Sequence, residues 1–411
     1  MVDPSPISGK SENGLFEKTR RRFCLPDNVI YLDGNSLGPL PAGVAERVAA
    51  VVGEEWGGQL IRAWNNAAWI DLPARVGDRI ARLVDASPGS VMVADSTSIN
   101  LHKALASALK LRPDRHVILS DSGNFPTDLY VAQGLIRMLG VGHELKIVAP
   151  DDIADALNDR VAVLMLTEVD YRTGRLHDMA TLTEAAHAVG ALTIWDLAHS
   201  AGALPVDLTG CNADFAVGCG YKYLNGGPGA PAFIYMRPDH AEEVEPALSG
   251  WMGHESPFAF DLDYRPAAGS GRLRVGTPPI LSMAALDAAL DLWDDVAMKT
   301  VRSASIALSE LLIREIEQRC AGFGLTLASP RDENQRGSHV SFRFADGYAA
   351  MQALIAHDVI GDFRAPDLMR FGITPLYIGE TEIMAAAERL QTILENRLWD
   401  GPEFKRRSKV T

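Results

Sequence analysis

The chain of 411 residues is long enough for one large domain with a substantial core and a smaller second domain. Its composition, with 47% hydrophobic and 22% charged residues, is typical of a folded globular protein and disfavours a disordered chain or a coiled coil. A formal net charge of -14 disfavours a nucleic-acid-binding surface, and no apolar run approaches the roughly 18 residues that a membrane-spanning helix needs.

The cysteine pattern argues against a metal site. Cys24, Cys211, Cys219 and Cys320 show no CxxC spacing, so no structural zinc is expected. The first residues, MVDPSPISGKSENG, lack the charged segment and apolar run of a secretion signal. We therefore expect a cytoplasmic protein with reduced thiols.

The N-terminal part of the chain is expected to be an arm followed by a loop. Residues 1–30 form the expected arm, and YLDGNSLGPLP (31–41) follows, with Asn, Gly and Pro residues that favour turns. The next stretch, PAGVAERVAAVVGEEW, has apolar residues at helical spacing and predicts a helix.

From about residue 75, helical stretches alternate with short runs rich in β-branched residues. These runs are HVILS (116–120), KIVA (146–149), VAVLMLTEV (161–169), ALTIWD (191–196), DFAVGCG (214–220) and AFIYM (232–236). Apolar strands separated by helices predict a mostly parallel sheet covered on both faces.

The C-terminal third predicts a second, smaller α+β domain. Residues 280–318 are expected to form one long connector helix. After it come a strand (338–344), a helix (347–359), a strand or loop (368–377) and a closing helix (380–399). The expected domains are therefore an arm and loop (1–45), a large domain (46–280), and a connector helix with a small domain (281–411).

Three polar residues stand where predicted strands end, which is where the ligand crevice of a parallel α/β sheet lies. Asp196 ends the strand ALTIWD, His199 follows it, and Lys222 comes directly after DFAVGCG. Taken singly, a helix cap, a core histidine and a lysine stem packed on apolar surface explain them at least as well. Together they suit pyridoxal phosphate, which needs a Schiff-base lysine and an acid that keeps its pyridine nitrogen protonated.

Two further stretches could serve the same cofactor. Ser96, Thr97 and Ser98 begin a predicted helix, whose N-terminus can bind a phosphate, although plain N-capping explains them equally well. In GNFPTDLY (123–130), Phe125 could cover a ring face with Asp128 alongside. Core packing and a turn carboxylate are the alternatives for these two.

The motifs resemble those of kynureninases, which are fold-type-I pyridoxal-phosphate enzymes of the aminotransferase class V group. They follow one another in the order YLDGNSLGPLP, STSINLH, FPTD, DLAHSAG, YKYLNGGPGAPAF, GWMGH, RVGTPPIL and RFGITPLY. The resemblance spans nearly the whole chain. It implies an α/β fold with a mostly parallel, seven-stranded-type sheet covered by helices, plus a smaller α+β C-terminal domain.

The resemblance also implies an activity: hydrolysis of L-kynurenine, and of 3-hydroxykynurenine, to anthranilate or 3-hydroxyanthranilate and L-alanine. This reaction belongs to tryptophan catabolism and NAD biosynthesis. The implied catalytic residues are Lys222 as the Schiff-base lysine, Asp196 as partner of the pyridine nitrogen, and Tyr221 as a phosphate contact and proton donor. The other implied cofactor contacts are Thr97, Ser98, Phe125, Asp128, Thr167 and His199.

Two more groups of residues are implied by the resemblance alone. Trp251 and Thr277 would reach the phosphate from a neighbouring subunit, which implies a homodimer with shared active sites. Arg370 would clamp the substrate α-carboxylate with its planar guanidinium, a surface salt bridge being the alternative. Ser36 and Trp64 would face the aromatic end of the substrate.

Three alternative functions would use the same residues differently or not at all. A cysteine desulfurase or lyase would need a nucleophilic cysteine on a loop after the lysine, whereas the only later cysteine, Cys320, lies in a predicted helix. An aminotransferase could use Lys222, Asp196 and Arg370 in a similar way, but it has no evident use for YLDGNSLG. A binding protein without activity is disfavoured because every expected catalytic position is filled.

Overall fold

The computed structural model of the protein describes residues 12–140 and 142–407, so the first eleven residues of the expected arm lie outside the described residues. The chain divides into two compact units. The large unit comprises Gly43–Tyr171 and Arg175–Asp291, and the small unit comprises Met1–Ala42, Arg172–Gly174 and Leu292–Thr411. These limits follow from contacts within the chain, and the domain boundaries expected after residues 45 and 280 stay predictions.

The strands of the described residues are numbered in chain order. They are β1 (Phe23–Cys24), β2 (Ile30–Tyr31), β3 (Leu40–Pro41), β4 (Val91–Val93), β5 (Val117–Asp121), β6 (Glu144–Val148), β7 (Val161–Thr167), β8 (Leu192–Asp196), β9 (Phe215–Cys219), β10 (Ala232–Met236), β11 (Thr326–Leu327), β12 (His339–Arg343), β13 (Val359–Ile360), β14 (Asp362–Arg364) and β15 (Leu368–Gly372).

The α-helices are numbered in the same way. They are α1 (Glu12–Thr19), α2 (Val44–Ala50), α3 (Ala63–Asn66), α4 (Leu72–Leu83), α5 (Thr97–Leu111), α6 (Pro126–Leu139), α7 (Ile153–Ala156), α8 (Met179–Ala188), α9 (Ile280–Leu290), α10 (Met298–Arg319), α11 (Gly347–Ala356), α12 (Glu380–Glu395) and α13 (Pro402–Lys405). None of the helices within the described ranges is long and apolar enough to cross a membrane.

The large unit is built on a seven-stranded sheet with the order β4-β10-β9-β8-β7-β5-β6. Strands β5 to β9 pair in parallel, and β10 runs antiparallel to its neighbours β9 and β4. The expected mostly parallel sheet is thus confirmed. The short strand β4 was not expected, because three residues are too few to show a period in the sequence.

The core of the large unit lies where helices pack on this sheet. Leu101 and Leu105 of α5 are completely buried with Ile118, Met165 and Ile194 from three neighbouring strands. Complete burial of such a side chain stabilises the fold by roughly 1.5–3 kcal/mol. The strands therefore form a rigid platform, and the loops at their carboxyl ends are held in place by it.

Two predicted helices differ from the observed ones. The helix expected from residue 41 is α-helical only over α2 and continues as a π-helix at Val51–Gln59, a stretch with three glycines that weaken the α-helix. The single connector helix expected over 280–318 was wrong. It consists of α9 and α10, which are separated by residues 291–297. Asp291, Asp294 and Asp295 lie in this stretch, and negative charge at the C-terminal end of a helix disfavours its continuation.

The small unit contains a four-stranded antiparallel sheet with the order β11-β12-β15-β14, and β2 pairs in parallel with β13. This pairing brings the turn at residues 33–37 beside β15, and Gly372 donates a backbone hydrogen bond to Leu32 over 2.7 Å. Glycine is required at two positions here. A Cβ on Gly34 would lie 2.0 Å from the Tyr377 hydroxyl, and one on Gly372 would lie 2.0 Å from Oδ1 of Asn35.

A buried carboxylate stabilises the amino end of β9. Asp214 has no exposed side-chain surface, and it accepts hydrogen bonds from His187 over 2.7 Å, from His240 over 2.8 Å and from the Thr193 backbone over 2.8 Å. Burial opposes its ionisation, but these hydrogen bonds and the charge of Arg237 outweigh burial, so the pKa of Asp214 lies below its ordinary range. Its contribution to stability is therefore complete at neutral pH and is lost only in strong acid.

Replacement of this carboxylate should destabilise the protein. For Asp214→Asn we expect the free energy of unfolding at pH 7 to fall by about 3 kcal/mol, because two histidines and an arginine lose a buried partner. Urea-induced unfolding followed by circular dichroism measures this change. The matched control is Asp239→Asn, whose side chain is 64% exposed and which also pairs with Arg237. Equal effects of the two substitutions would contradict the role of burial.

Candidate active site

The carboxyl ends of three parallel strands bring most of the predicted site residues together. Thr167 ends β7, Asp196 ends β8, and Lys222 lies three residues beyond β9. A pocket of about 110 Å³ opens at this edge of the sheet. It is lined by Thr97, Ser98, Phe125, Thr127, Asp128, Thr167, Asp196, Ala198, His199, Tyr221 and Lys222.

Lys222 points into this pocket from a tightly packed turn. Its Nζ lies 3.0 Å from Nε2 of the buried His199 and 5.9 Å from the centre of the Tyr221 ring. The turn is tight because Gly226 donates a backbone hydrogen bond to Gly220 over 2.8 Å, and a Cβ on either glycine would clash with its surroundings. The amine is therefore held against an imidazole nitrogen, on a residue that is partly buried.

Two buried carboxyl groups lie near Lys222. Asp196 and Asp128 are 4% and 3% exposed, and Oδ1 of Asp196 accepts a hydrogen bond from the Ala198 backbone over 2.8 Å. Burial raises the pKa of Asp196, and burial together with the charge of Asp196 raises the pKa of Asp128 well above its usual range. Oδ2 of Asp128 is inaccessible and has no hydrogen-bond partner among the described residues. The pair thus suits a ligand that brings a protonated ring nitrogen.

Another part of the pocket lining suits an anion. Thr97 is the first residue of the fifteen-residue helix α5, and the Ser96 hydroxyl caps it by accepting a hydrogen bond from the Ile99 backbone over 3.4 Å. Thr97 and Ser98 both line the pocket. Backbone N–H groups and hydroxyls at a helix N-terminus favour a phosphate. Capping and anion binding are compatible here, because different groups perform them.

One residue that the sequence analysis did not single out organises this pocket. Asn124 accepts hydrogen bonds from the Phe125 backbone over 2.7 Å and from the Thr167 hydroxyl over 2.5 Å. Its amide donates to the Ser120 hydroxyl over 2.9 Å and to the Met165 carbonyl over 3.3 Å. Asn124 thus ties the start of α6 to the end of β7. Its place directly before Phe-Pro, after a predicted strand, was the signal that could have found it.

The predicted carboxylate-binding residue, Arg370, lies in the small unit. Arg370 on β15 is only 1% exposed, so the alternative of a surface salt bridge was wrong. Its Nε donates to Oδ1 of Asp362 over 2.8 Å, and its Nη2 donates to the Ser36 hydroxyl over 3.0 Å. Asp362 is the cross-strand partner of Arg370, and the sequence analysis missed it because β14 was not predicted.

Three other predicted residues do not line the Lys222 pocket. Trp64, Trp251 and Thr277 lie together in a second pocket of the large unit, of about 600 Å³. The remaining residues that line it are Ile61, Asn65, Ile70 and Phe258. The side chains of Trp251 and Phe258 are 41% and 64% exposed. An aromatic, exposed pocket of this kind is typical of a surface that contacts another protein.

The buried carboxyl pair should cost stability in protein free of bound small molecules. A raised pKa means that the folded state disfavours the ionised form, so this cost grows as pH rises above the ordinary pKa of an aspartate. For Asp128→Asn we therefore expect a melting temperature higher by about 3 °C at pH 8 and by less at pH 5. Calorimetry measures the melting temperature at each pH.

The matched control is Asp151→Asn, which removes a carboxylate that is 87% exposed in a salt bridge with Arg175. Its melting temperature should match that of the unmodified protein at both pH values. A melting temperature of Asp128→Asn that does not rise at pH 8 would contradict the electrostatic cost of the pair.

Comparison with known proteins shows the family of the chain. The family model described as "Kynureninase C-terminal domain" matches residues 301–390. The chain is 50% identical over 397 residues to proteins named "Kynureninase" from Pseudomonas fluorescens and from Burkholderia pseudomallei (strain 1106a), with 95% of each chain covered.

Solved structures share the fold at lower identity. One is a variant of C-DES with glycine covalently linked to its PLP cofactor, with a TM-score of 0.78, 21% identity and coverage of 90% of this chain and 98% of that chain. Another is the cysteine desulfurase from Thermococcus onnurineus NA1, with a TM-score of 0.77, 18% identity and coverage of 92% and 98%. Since the relatives at 50% identity match nearly the full length, the chain belongs to the kynureninase family.

Proposed function

We propose that the protein is a pyridoxal-phosphate-dependent hydrolase that converts L-kynurenine and water to anthranilate and L-alanine. The pocket that holds Lys222 beside His199 and the buried Asp196 is the observation that carries this proposal. The relatives named "Kynureninase" support the choice of substrate. The proposal extends to 3-hydroxykynurenine, which differs by one ring hydroxyl and would give 3-hydroxyanthranilate.

The pocket residues fit this cofactor. Asp196 would accept a hydrogen bond from the pyridine nitrogen, and the N-terminus of α5 with Thr97 and Ser98 would hold the phosphate. Phe125 would cover one face of the ring, with His199 on the other side. When bound, pyridoxal phosphate supplies an electron-withdrawing ring that stabilises negative charge at the substrate Cα.

The side chains of the pocket would then move the protons. Nζ of Lys222 would take the proton from the substrate Cα, and His199, at 3.0 Å, would orient this amine. Burial, together with Cys219 and Asp196, raises the pKa of Tyr221, so its hydroxyl keeps its proton at neutral pH and can donate it. Water adds to the side-chain ketone, the Cβ–Cγ bond breaks, and Cβ receives a proton to complete alanine.

Substrate orientation is assigned to Arg370, Trp64 and Ser36. Arg370 would bind the α-carboxylate, a role for which its planar guanidinium is suited. Trp64 would face the aromatic end. Ser36 was expected there too, but its hydrogen bond to Arg370 places its hydroxyl beside the carboxylate-binding group, and we propose that it acts at that end.

A cysteine desulfurase or lyase activity is disfavoured by the state of the thiols. Cys320 lies at the end of α10, where burial raises its pKa to about 11. Burial also raises the pKa of Cys219 behind the pocket. Neither thiol supplies the exposed thiolate that such chemistry needs. An aminotransferase would release a keto acid in place of alanine, so product analysis separates the two.

We also propose a homodimer with shared active sites. Trp251 and Thr277, which the resemblance assigns to the neighbouring subunit's phosphate, lie outside the pocket of Lys222 in their own chain. The exposed rings of Trp251, Phe258 and Phe260 beside them would be covered in such a dimer. A cytoplasmic location is proposed as well, because none of the four cysteines forms a disulfide.

Removal of the lysine amine tests the central assignment. Lys222→Ala should lower kynurenine hydrolysis by at least about 1000-fold, because no other amine can take the Cα proton, and the visible absorbance of bound cofactor should disappear. Anthranilate fluorescence and absorbance spectra measure the two effects. The control is Lys110→Ala, a lysine that is 59% exposed in a surface salt bridge and should retain full activity. Normal turnover by Lys222→Ala would refute the assignment.

Mixing of two inactive variants tests the shared site. Lys222→Ala and Trp251→Ala homodimers are both expected to be impaired, but a mixed dimer contains one intact site when Trp251 acts across subunits. Random exchange at equal concentrations should therefore restore about a quarter of the activity of the unmodified enzyme. An anthranilate assay before and after subunit exchange measures this. No recovery, despite mixed dimers detected by native mass spectrometry, would mean that Trp251 acts in its own subunit.

A further inference from the structure

The small unit contains a buried cluster of charged residues around Arg370. Asp362 meets Arg370 through both carboxylate oxygens and is 1% exposed, as is Arg370 itself. A buried guanidinium that is held at two nitrogens has one orientation, because its fork and the carboxylate are both planar. Asp362 therefore determines where Arg370 points.

A second carboxyl group belongs to the same cluster. The Ser36 hydroxyl donates to Oδ2 of Asp362 over 2.6 Å, and the backbone of Ser36 donates to the Asp33 carbonyl over 2.9 Å in the turn that follows β2. The side chain of Asp33 contacts Ser36 and Asp362. Its Oδ1 is inaccessible and has no hydrogen-bond partner in the described part of the chain. Asp33 thus adjoins the Arg370–Asp362 pair without being neutralised by a partner of its own.

The charged and titratable groups around Asp33 lie on three strands. Arg370 lies on β15, and Asp362 and Arg364 lie on β14, with Nη2 of Arg364 at 3.0 Å from Oδ2 of Asp362. Tyr31 on β2 completes the cluster, with the ring of Tyr377 at 6.3 Å from its own. Burial, with the charges of Asp33 and Asp362, raises the pKa of Tyr31, so this phenol stays neutral.

We propose that Asp362 and Asp33 are positioning residues that act through Arg370. Asp362 holds the Arg370 guanidinium in place. When Asp33 loses its proton, the affinity of Arg370 for the substrate carboxylate falls. This inference rests on the proposed role of Arg370 in binding that carboxylate. Ionisation of Asp33 adds a negative charge beside the Arg370–Asp362 pair. This charge repels a further carboxylate, which therefore gains less from binding to Arg370.

The electrostatics of the cluster place this change near neutral pH. Burial and the charge of Asp362 raise the pKa of Asp33 to about 7, although Ser36 and Arg370 partly oppose the rise. Burial opposes ionisation of Asp362 as well, but Arg370 and Arg364 outweigh it and lower the pKa of Asp362 to about 2. Asp362 therefore stays ionised, and Asp33 is the carboxyl group that titrates.

The test uses a ligand that does not itself titrate in this range. The desamino analogue of kynurenine keeps the carboxylate and the aryl ketone but lacks the α-amine. Its inhibition constant against kynurenine hydrolysis, and its dissociation constant by calorimetry, are measured with holoenzyme between about pH 6 and pH 8.5. We expect both constants of the unmodified enzyme to rise about tenfold over this range. Asp33→Asn, which mimics the protonated form, should keep the low-pH affinity throughout.

Asp27→Asn is the matched control, because it removes an exposed carboxylate from the same N-terminal segment and should leave the pH dependence intact. If Asp33→Asn retains the pH dependence of the unmodified enzyme, the assignment of Asp33 is overturned. An unmodified enzyme that does not hydrolyse kynurenine would instead refute the proposed function.

The Asp362→Asn variant tests whether Asp362 acts by orienting Arg370 or only through its negative charge. Removal of a negative charge alone would tighten carboxylate binding, whereas loss of the partner that orients Arg370 should weaken it about tenfold and raise KM more than kcat falls. Tighter binding by this variant would overturn the positioning role of Asp362. Circular dichroism checks its fold, and if it fails to fold, Asp362→Glu, which keeps the charge but displaces the carboxylate, should show the same weakened binding.

Discussion

Burial of charged side chains at the ends of parallel strands is the constraint on which this site depends. Strands β7, β8 and β9 are buried along their full length, so the residues that end them leave the sheet without access to bulk water. Asp196 and Asp128 therefore lie close together in a medium that disfavours their ionisation. Lys222 and a cofactor with a protonated ring are what such a pocket needs to become electrostatically balanced.

Uncharged residues matter as much as charged ones in this pocket. Asn124 holds Phe125 and Thr167 through side-chain hydrogen bonds, and the glycines around Lys222 let the backbone pack closely where a Cβ would clash. These residues perform no chemistry. They decide the positions of the groups that do, which is the usual relation between a reactive side chain and its supporting shell.

The small unit solves a related problem in a different way. Arg370 is as deeply buried as Asp196, but it has a carboxylate partner on the adjacent strand of its own sheet. A buried arginine that is paired with a carboxylate can still attract an anion, and we propose that the protonation of Asp33 sets how strongly Arg370 does so. The large unit thus has two buried carboxyl groups beside one lysine, whereas in the small unit a buried arginine is paired with a carboxylate.

Much of the fold and of the site could be predicted from the sequence, because the signals are local. Apolar runs of strand length between helical stretches predict a parallel sheet, and polar residues directly after such runs must meet at one edge of it. Asp196, His199 and Lys222 were predicted for this reason, whereas Tyr221 was implied by the resemblance alone.

Only the tertiary structure decided what depends on contacts between distant segments. Asp362 pairs with Arg370 because β14 lies beside β15, and Asp33 joins them because β2 pairs with β13. The placement of Trp64, Trp251 and Thr277 in a second pocket likewise follows from packing. No periodicity or spacing along the chain encodes such contacts, since they arise only when elements far apart in sequence are brought together.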